Sequence, residues 1–170
     1  MGFSFLPQLM EESLTQLSPE FLKSCDIRLL MLDFDNTIVP YTTDVPTEQM
    51  QQWLKNILSC DIQVCVVSNS HKDRVRRFCE HYGLDCVTHA RKPFSKGIAA
   101  CLEKYQVAKS KCALAGDQIY TDVLGANCAG VRSILVRSID NHTFWLKLRH
   151  LAELPFIFAA RKRRIHHEKY

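Results

Sequence analysis

The sequence predicts an α/β fold: a Rossmann-like parallel sheet of about five strands, with helices on both faces and no cap domain. Two observations predict it. Short apolar runs alternate with stretches of helical periodicity along the chain, and the runs are continuous in apolar character, as strands buried on both faces should be. With 170 residues, 46% hydrophobic and 24% charged, the chain reads as one globular domain with room for a full core.

"RLLMLDF" (28–34) is the first strand. After a Pro-punctuated loop, Met50, Trp53, Leu54, Ile57 and Leu58 form an amphipathic stripe that Thr47 is placed to cap. "IQVCVV" (62–67) is the second strand, followed by a helix carrying Val75, Phe78, Cys79 and Tyr82, which Gly83 is placed to end in the left-handed conformation. A short strand near "CVTH" (86–89) precedes a helix marked by Ile98, Cys101, Leu102 and Tyr105. "CALAG" (112–116) is the fourth strand, a helix runs through Val123 and Asn127 to Gly130, and "RSILV" (132–136) is the fifth strand. Strand, helix, strand, helix in this order implies parallel pairing.

Composition excludes several classes. The net charge of +4 is modest and much of it sits in "RKRRIHHEK" (161–169), so the body lacks the basic stripe of a DNA-binding domain. The eight cysteines stand singly inside apolar runs without C-x-x-C spacing, which reads as reduced thiols filling a core rather than disulfides or zinc ligands. No run is long enough to span a bilayer, and the start "MGFSFL" has Leu6 where a myristoylation signal wants Ser or Thr. A cytoplasmic protein is expected.

In open parallel sheets, ligands sit outside the carboxyl ends of the strands. Here those ends deliver Asp33, Asp35 and Thr37, then Ser68 and Asn69, then Arg91 and Lys92, then Gly116, Asp117, Thr121 and Asp122. Carboxylates held together repel unless a cation lies between them, and a hard oxygen set with few protein ligands suits Mg²⁺ completed by phosphate oxygens. Lysine and a serine hydroxyl suit the remaining phosphoryl oxygens. The chemistry this implies is phosphoryl transfer, in which an aspartate can be the nucleophile.

"LDFDNT", "VVSNS", "RKP" and "GDQIYTD", in this order, resemble the four motifs of the haloacid dehalogenase (HAD) superfamily of phosphatases. The wording around "GDQIYTDVLGANCAGVRSILV" is similar to YqeG-type members of subclass IIIA, a group similar to mitochondrial phosphatidylglycerophosphate phosphatases. The resemblance covers residues 28–137 as a HAD-like catalytic core, leaving 1–27 as an amphipathic N-terminal segment and 138–170 as a C-terminal helix and basic tail. It implies Asp33 as nucleophile, forming an aspartyl-phosphate, and Asp35 as general acid and base, with Thr37 in support. Ser68, Asn69 and Lys92 would bind the phosphoryl group, with Lys96 close enough in sequence to compete for the lysine role. Asp33, Asp35 through its carbonyl, Asp117 and Asp122 would hold Mg²⁺.

Taken singly, each position has an ordinary structural account: aspartates after strands are common turn residues, and Ser68 with Asn69 could cap a helix. Together, at four strand ends, they read as a site. His71 reads as a surface histidine at a helix start rather than a member of a hydrolase triad. The 35 positions from Asp33 to Ser68 and the 24 from Ser68 to Lys92 leave no room for a cap, which favours a phosphate presented by something large. The expected activity is Mg²⁺-dependent phosphomonoester hydrolysis, with phosphatidylglycerophosphate the leading substrate. Alternatives are a soluble sugar or nucleotide phosphate, or a non-catalytic module docking on RNA or the ribosome. Phe3, Phe5, Leu6, Leu9 and Met10, together with the basic tail, are read as a peripheral contact with anionic membrane at its inner face, against covering a sheet edge.

Overall fold

The computed structural model describes residues 3–70, 73–140 and 154–160. In chain order the elements are β1 (Leu9–Glu11), α1 (Pro19–Ser24), β2 (Leu29–Leu32), α2 (Glu48–Leu58), β3 (Gln63–Val67), α3 (Asp73–Tyr82), β4 (Asp85–Val87), α4 (Lys96–Tyr105), β5 (Cys112–Gly116), α5 (Leu124–Ala129) and β6 (Arg132–Val136). A further helical stretch covers 154–160. The strands form one parallel sheet in the order β1-β6-β5-β2-β3-β4.

Strand count is six rather than about five. β1 is a three-residue edge strand, too short to show a period, and it pairs Leu9 with Ile134 and Met10 with Leu135. Its approach is pinned by Asn127, whose Nδ2 donates to the carbonyls of Ser4 and Leu6 at 2.7 and 3.1 Å. Further along, Leu14, Leu17 and Leu22 are buried in the core, and Trp53 Nε1 donates to the Leu17 carbonyl at 2.8 Å. The N-terminal stretch therefore belongs to the sheet and its packing.

Side-chain alternation divides the core. Leu30, Leu32, Val64, Val66, Ala113 and Ala115 face α1, α2 and α3; Leu29, Met31, Cys65, Val67 and Leu114 face α4 and α5. Because β2 and β5 lie at the centre, every residue of both is buried, which is why their sequences are unbroken apolar runs. Thr47 caps α2 by accepting from Met50 N at 3.2 Å, and Gly83 and Gly130 end their helices at φ of 65° and 79°. All eight cysteines are free thiols, with Cys65, Cys79, Cys101 and Cys112 buried. Among the described residues no cap domain interrupts the sheet, and no helix is long and apolar enough to cross a membrane.

The chain runs from β2 outward through β3 to β4, then crosses to β5 on the other side of β2. That reversal opens a crevice at the carboxyl ends of β2 and β5. Asp33 follows the first of these strands and Asp117 the second.

Candidate active site

Asp33 is fixed at the end of β2 by its amide, which donates to the Ala115 carbonyl at 2.9 Å. The chain then turns sharply. Asn36 takes a left-handed φ of 67°, a conformation asparagine tolerates better than most residues, and its amide donates to the Val39 carbonyl at 2.7 Å. This turn brings Thr37 Oγ1 within 3.3 Å of Asp33 Oδ2 and 3.5 Å of Asp117 Oδ1.

Lys92 reaches the same point from the loop after β4. Its Nζ lies 2.6 Å from Asp33 Oδ1 and 2.7 Å from Asp122 Oδ1, with all three side chains buried. The loop is tied to the end of β3 from two sides: Ala90 N donates to the Ser68 carbonyl at 3.0 Å, and the Asn69 carboxamide clasps the Lys92 backbone, accepting from its N at 2.7 Å and donating to its O at 2.9 Å. His89 and Arg91 sit at left-handed φ of 56° and 55°, local strain of the kind that collects at functional sites. Lys96 is the exposed first residue of α4, so Lys92 is the lysine of the cluster.

Asp122 arrives on a single π-helical turn, Ile119–Val123, a feature often found at functional sites. Gly116 is required beneath it, because a Cβ there would collide with the Asp122 carboxyl group. Asp117 is held by Ser138 Oγ, which donates to its Oδ2 at 2.7 Å, and by Asn36 Nδ2 at 3.4 Å. Asn36 in turn clasps the loop after β6, donating to the Asp140 carbonyl at 2.7 Å and accepting from Asp140 N at 2.8 Å.

Oxygen atoms of Asp33, Asp117 and Asp122, all buried, lie within 4.8 Å of one another. Burial and the charges of Asp122 and Asp117 push the Asp33 carboxyl up to about 7, against the pull of Lys92. Burial also works against the Lys92 charge, but Asp122 and Asp33 outweigh it and hold the ammonium above its usual range. Three carboxylates facing one ammonium leave the cluster short of positive charge, and their hard oxygens fit a divalent metal ion.

The sequence-predicted residues Asp33, Thr37, Lys92, Asp117 and Asp122 meet here. Ser68 is buried at the end of β3, with its Oγ accepting from Ser70 N at 3.0 Å. Asp35 Oδ1 lies 3.3 Å from Arg74 Nη1. His71 and the tail 161–169 lie outside the described residues. Sequence reasoning passed over Arg74 and Ser138. Arg74 stands four residues before Phe78, on the buried stripe of α3, and an arginine on an apolar stripe is a signal. Ser138 would have emerged from applying the strand-end rule to β6 as well.

Residues 89–146 match the HAD-hydrolase-like family model. Over 132 residues the chain is 33% identical to the probable phosphatase YqeG of Bacillus subtilis, covering 78% of this chain and 77% of that protein. Among solved structures, the cobalt-bound deoxy-D-mannose-octulosonate 8-phosphate phosphatase YrbI of Haemophilus influenzae matches with a TM-score of 0.54 at 16% identity, over 82% of this chain and 92% of that one. A structure from Legionella pneumophila presented as a HAD superfamily subfamily III A hydrolase matches with a TM-score of 0.56 at 15% identity, over 76% and 74%. At those identities the two structures speak for the fold alone. With a third of the positions shared with YqeG across most of both chains, and Asp33, Lys92, Asp117 and Asp122 gathered at the strand ends, the chain belongs to the HAD-like phosphatases.

Proposed function

We propose that this phosphatase is a Mg²⁺-dependent phosphomonoesterase working through an aspartyl-phosphate on Asp33, with a lipid-borne phosphate, phosphatidylglycerophosphate first, as its substrate. The bare crevice carries this reading. With no cap among the described residues to enclose a small metabolite, the site is open to a phosphate standing on a larger body.

In the first half-reaction an Asp33 oxygen attacks phosphorus, the bond from phosphorus to the ester oxygen breaks, and the Asp35 carboxyl group passes its proton to the leaving alkoxide. In the second, water attacks the phosphorus of the acyl phosphate while Asp35 takes its proton, releasing inorganic phosphate and restoring Asp33. Ser68 and Lys92 hold the transferring group, and Thr37 steadies Asp33. Asn69, with both ends of its carboxamide on the Lys92 backbone, serves the phosphate by aiming Lys92. Asp33, Asp117, Asp122 and the Asp35 carbonyl would hold Mg²⁺, which supplies charge neutralisation for the phosphoryl oxygens and the nucleophile.

Beside the motif that carries Asp117 and Asp122, Phe5 packs against Phe3, Phe156 and Tyr120 with ring centroids 5.2, 5.1 and 5.6 Å apart. Phe3 and Phe158 are 76% and 66% exposed. These rings support a shallow contact with the bilayer interface, with the basic run 161–169 attracting anionic headgroups. Deleting residues 1–10 would remove part of β1, so single substitutions at Phe3 and Phe158 are the clean probes.

Phosphate release with Mg²⁺ should be measured on phosphatidylglycerophosphate in mixed micelles and on soluble sugar and nucleotide monophosphates. The lipid should give the highest kcat/KM, and Phe3→Ser with Phe158→Ser should weaken co-sedimentation with anionic vesicles. Faster turnover of a sugar phosphate, together with no preference for anionic over neutral vesicles, overturns the lipid reading in favour of a soluble metabolite.

A further inference from the structure

Arg74 projects from the first turn of α3 into a buried position beside the turn after β2. Removing a guanidinium from water is costly unless its donors are met, and here backbone carbonyls from one short stretch meet Nη1 and Nη2, while Nε has the charge of Asp44 beside it without a hydrogen bond. Nη2 donates to the carbonyls of Thr43 and Pro40 at 2.8 and 3.1 Å, and Nη1 donates to the Tyr41 carbonyl at 3.2 Å. Nε lies 2.8 Å from Asp44 Oδ1, Nη1 lies 3.3 Å from Asp35 Oδ1, and the guanidinium sits 5.2 Å from the centre of the Phe34 ring. Residues 41–45 are exposed, and the carbonyls of Pro40, Tyr41 and Thr43 converge on this one side chain.

We infer that Arg74 is a positioning residue for the leaving-group side of the site: it aims the Asp35 carboxyl group and, through the same fork, fixes the 40–44 loop as the wall against which the departing alcohol rests. The inference rests on the reading of Asp35 as general acid. The Asp35 side chain is 18% exposed, and the Arg74 guanidinium reaches its Oδ1 from the α3 side. Arginine suits the task because its planar fork can bridge a carboxylate and several carbonyls at fixed angles, which an ammonium cannot.

A merely structural latch and a positioning residue differ in which substrates suffer. An alkoxide needs its proton in the transition state, whereas 4-nitrophenolate leaves with little help, and kcat/KM reports the phosphoryl-transfer step without the later hydrolysis. The experiment compares kcat/KM for an alkyl phosphate and for 4-nitrophenyl phosphate in the Mg²⁺-loaded full chain. Arg74→Gln should lower the alkyl value roughly 100-fold and the aryl value less than roughly 10-fold. Asp44→Asn, at a half-exposed partner that leaves the carbonyl bonds in place, should lower the alkyl-to-aryl ratio by roughly 3- to 10-fold and keeps the test alive if Arg74→Gln does not fold. Asp35→Asn is the control. If it leaves the ratio unchanged, the acid assignment fails; if it lowers the ratio while neither Arg74→Gln nor Asp44→Asn does, the acid stands and the role given to Arg74 is overturned.

Discussion

Ser138 Oγ donates a hydrogen bond to Asp117 Oδ2 at 2.7 Å, so a residue beyond the last strand orients a carboxylate at the end of β5. Asn36 ties the two loops together by holding the Asp140 backbone. Outer partners of this kind are worth 10- to 100-fold in metal affinity or activity. Ser138→Ala should therefore weaken Mg²⁺ binding by about 10-fold or more. Turnover should recover at raised Mg²⁺ with the fold unchanged. Calorimetric titration of Mg²⁺ into the two proteins gives the number directly, and equal affinities would remove Ser138 from the site.

Asp33→Asn should abolish phosphate release. The same change should not destabilise the metal-free protein, although it breaks the pair with Lys92, because it also removes one of three mutually repelling buried carboxylates and leaves Asp122 on the ammonium. Melting curves in a chelator test the second part. A fall in Tm of many degrees would mean that the Asp33–Lys92 pair contributes more than the repulsion costs.

Chelating divalent metal should silence the enzyme, and Mg²⁺ should restore it. Without a metal ion, the carboxylates of Asp33, Asp117 and Asp122 face the incoming phosphate dianion with, among the described residues, the Lys92 ammonium to offset them. Ca²⁺ should bind yet support little turnover, since its higher and looser coordination disturbs in-line geometry. Full activity after exhaustive chelation would rule the metal out.

How much of this was legible in the sequence depends on what each residue must satisfy locally. β2 and β5 stand out because both faces are buried, and the acids that follow them stand out because a carboxylate after a fully apolar run needs a partner. β1 leaves no such trace: three half-buried residues at a sheet edge owe their conformation to β6, not to a pattern of their own. The position of Asn69 after a strand points to the site, but its work on the Lys92 backbone depends on a loop 23 residues away. The helix through Val123 and Asn127 is legible, but the π-helical turn that carries Asp122 is not, because nothing in "QIYTDV" marks it apart from Gly116, which lets the carboxyl group pack back.

Gly116 and Gly83 make a matched pair for testing that last point. At Gly116 an added Cβ collides with the Asp122 carboxyl group, which is held on one side by Lys92 and on the other by Gln118 N at 3.1 Å. At Gly83 nothing lies within 4 Å, but φ is 65°. Gly83→Ala should therefore cost about 1–2 kcal/mol through backbone strain and leave kcat as it is. Gly116→Ala should cost about 1–3 kcal/mol through overpacking and, because the displaced Asp122 no longer meets Lys92, lower kcat far more than its stability loss explains. Urea unfolding and steady-state phosphate release on both variants separate the two effects. If Gly116→Ala keeps the kcat of Gly83→Ala at equal stability, the contact between Asp122 and Lys92 is packing rather than part of the catalytic arrangement.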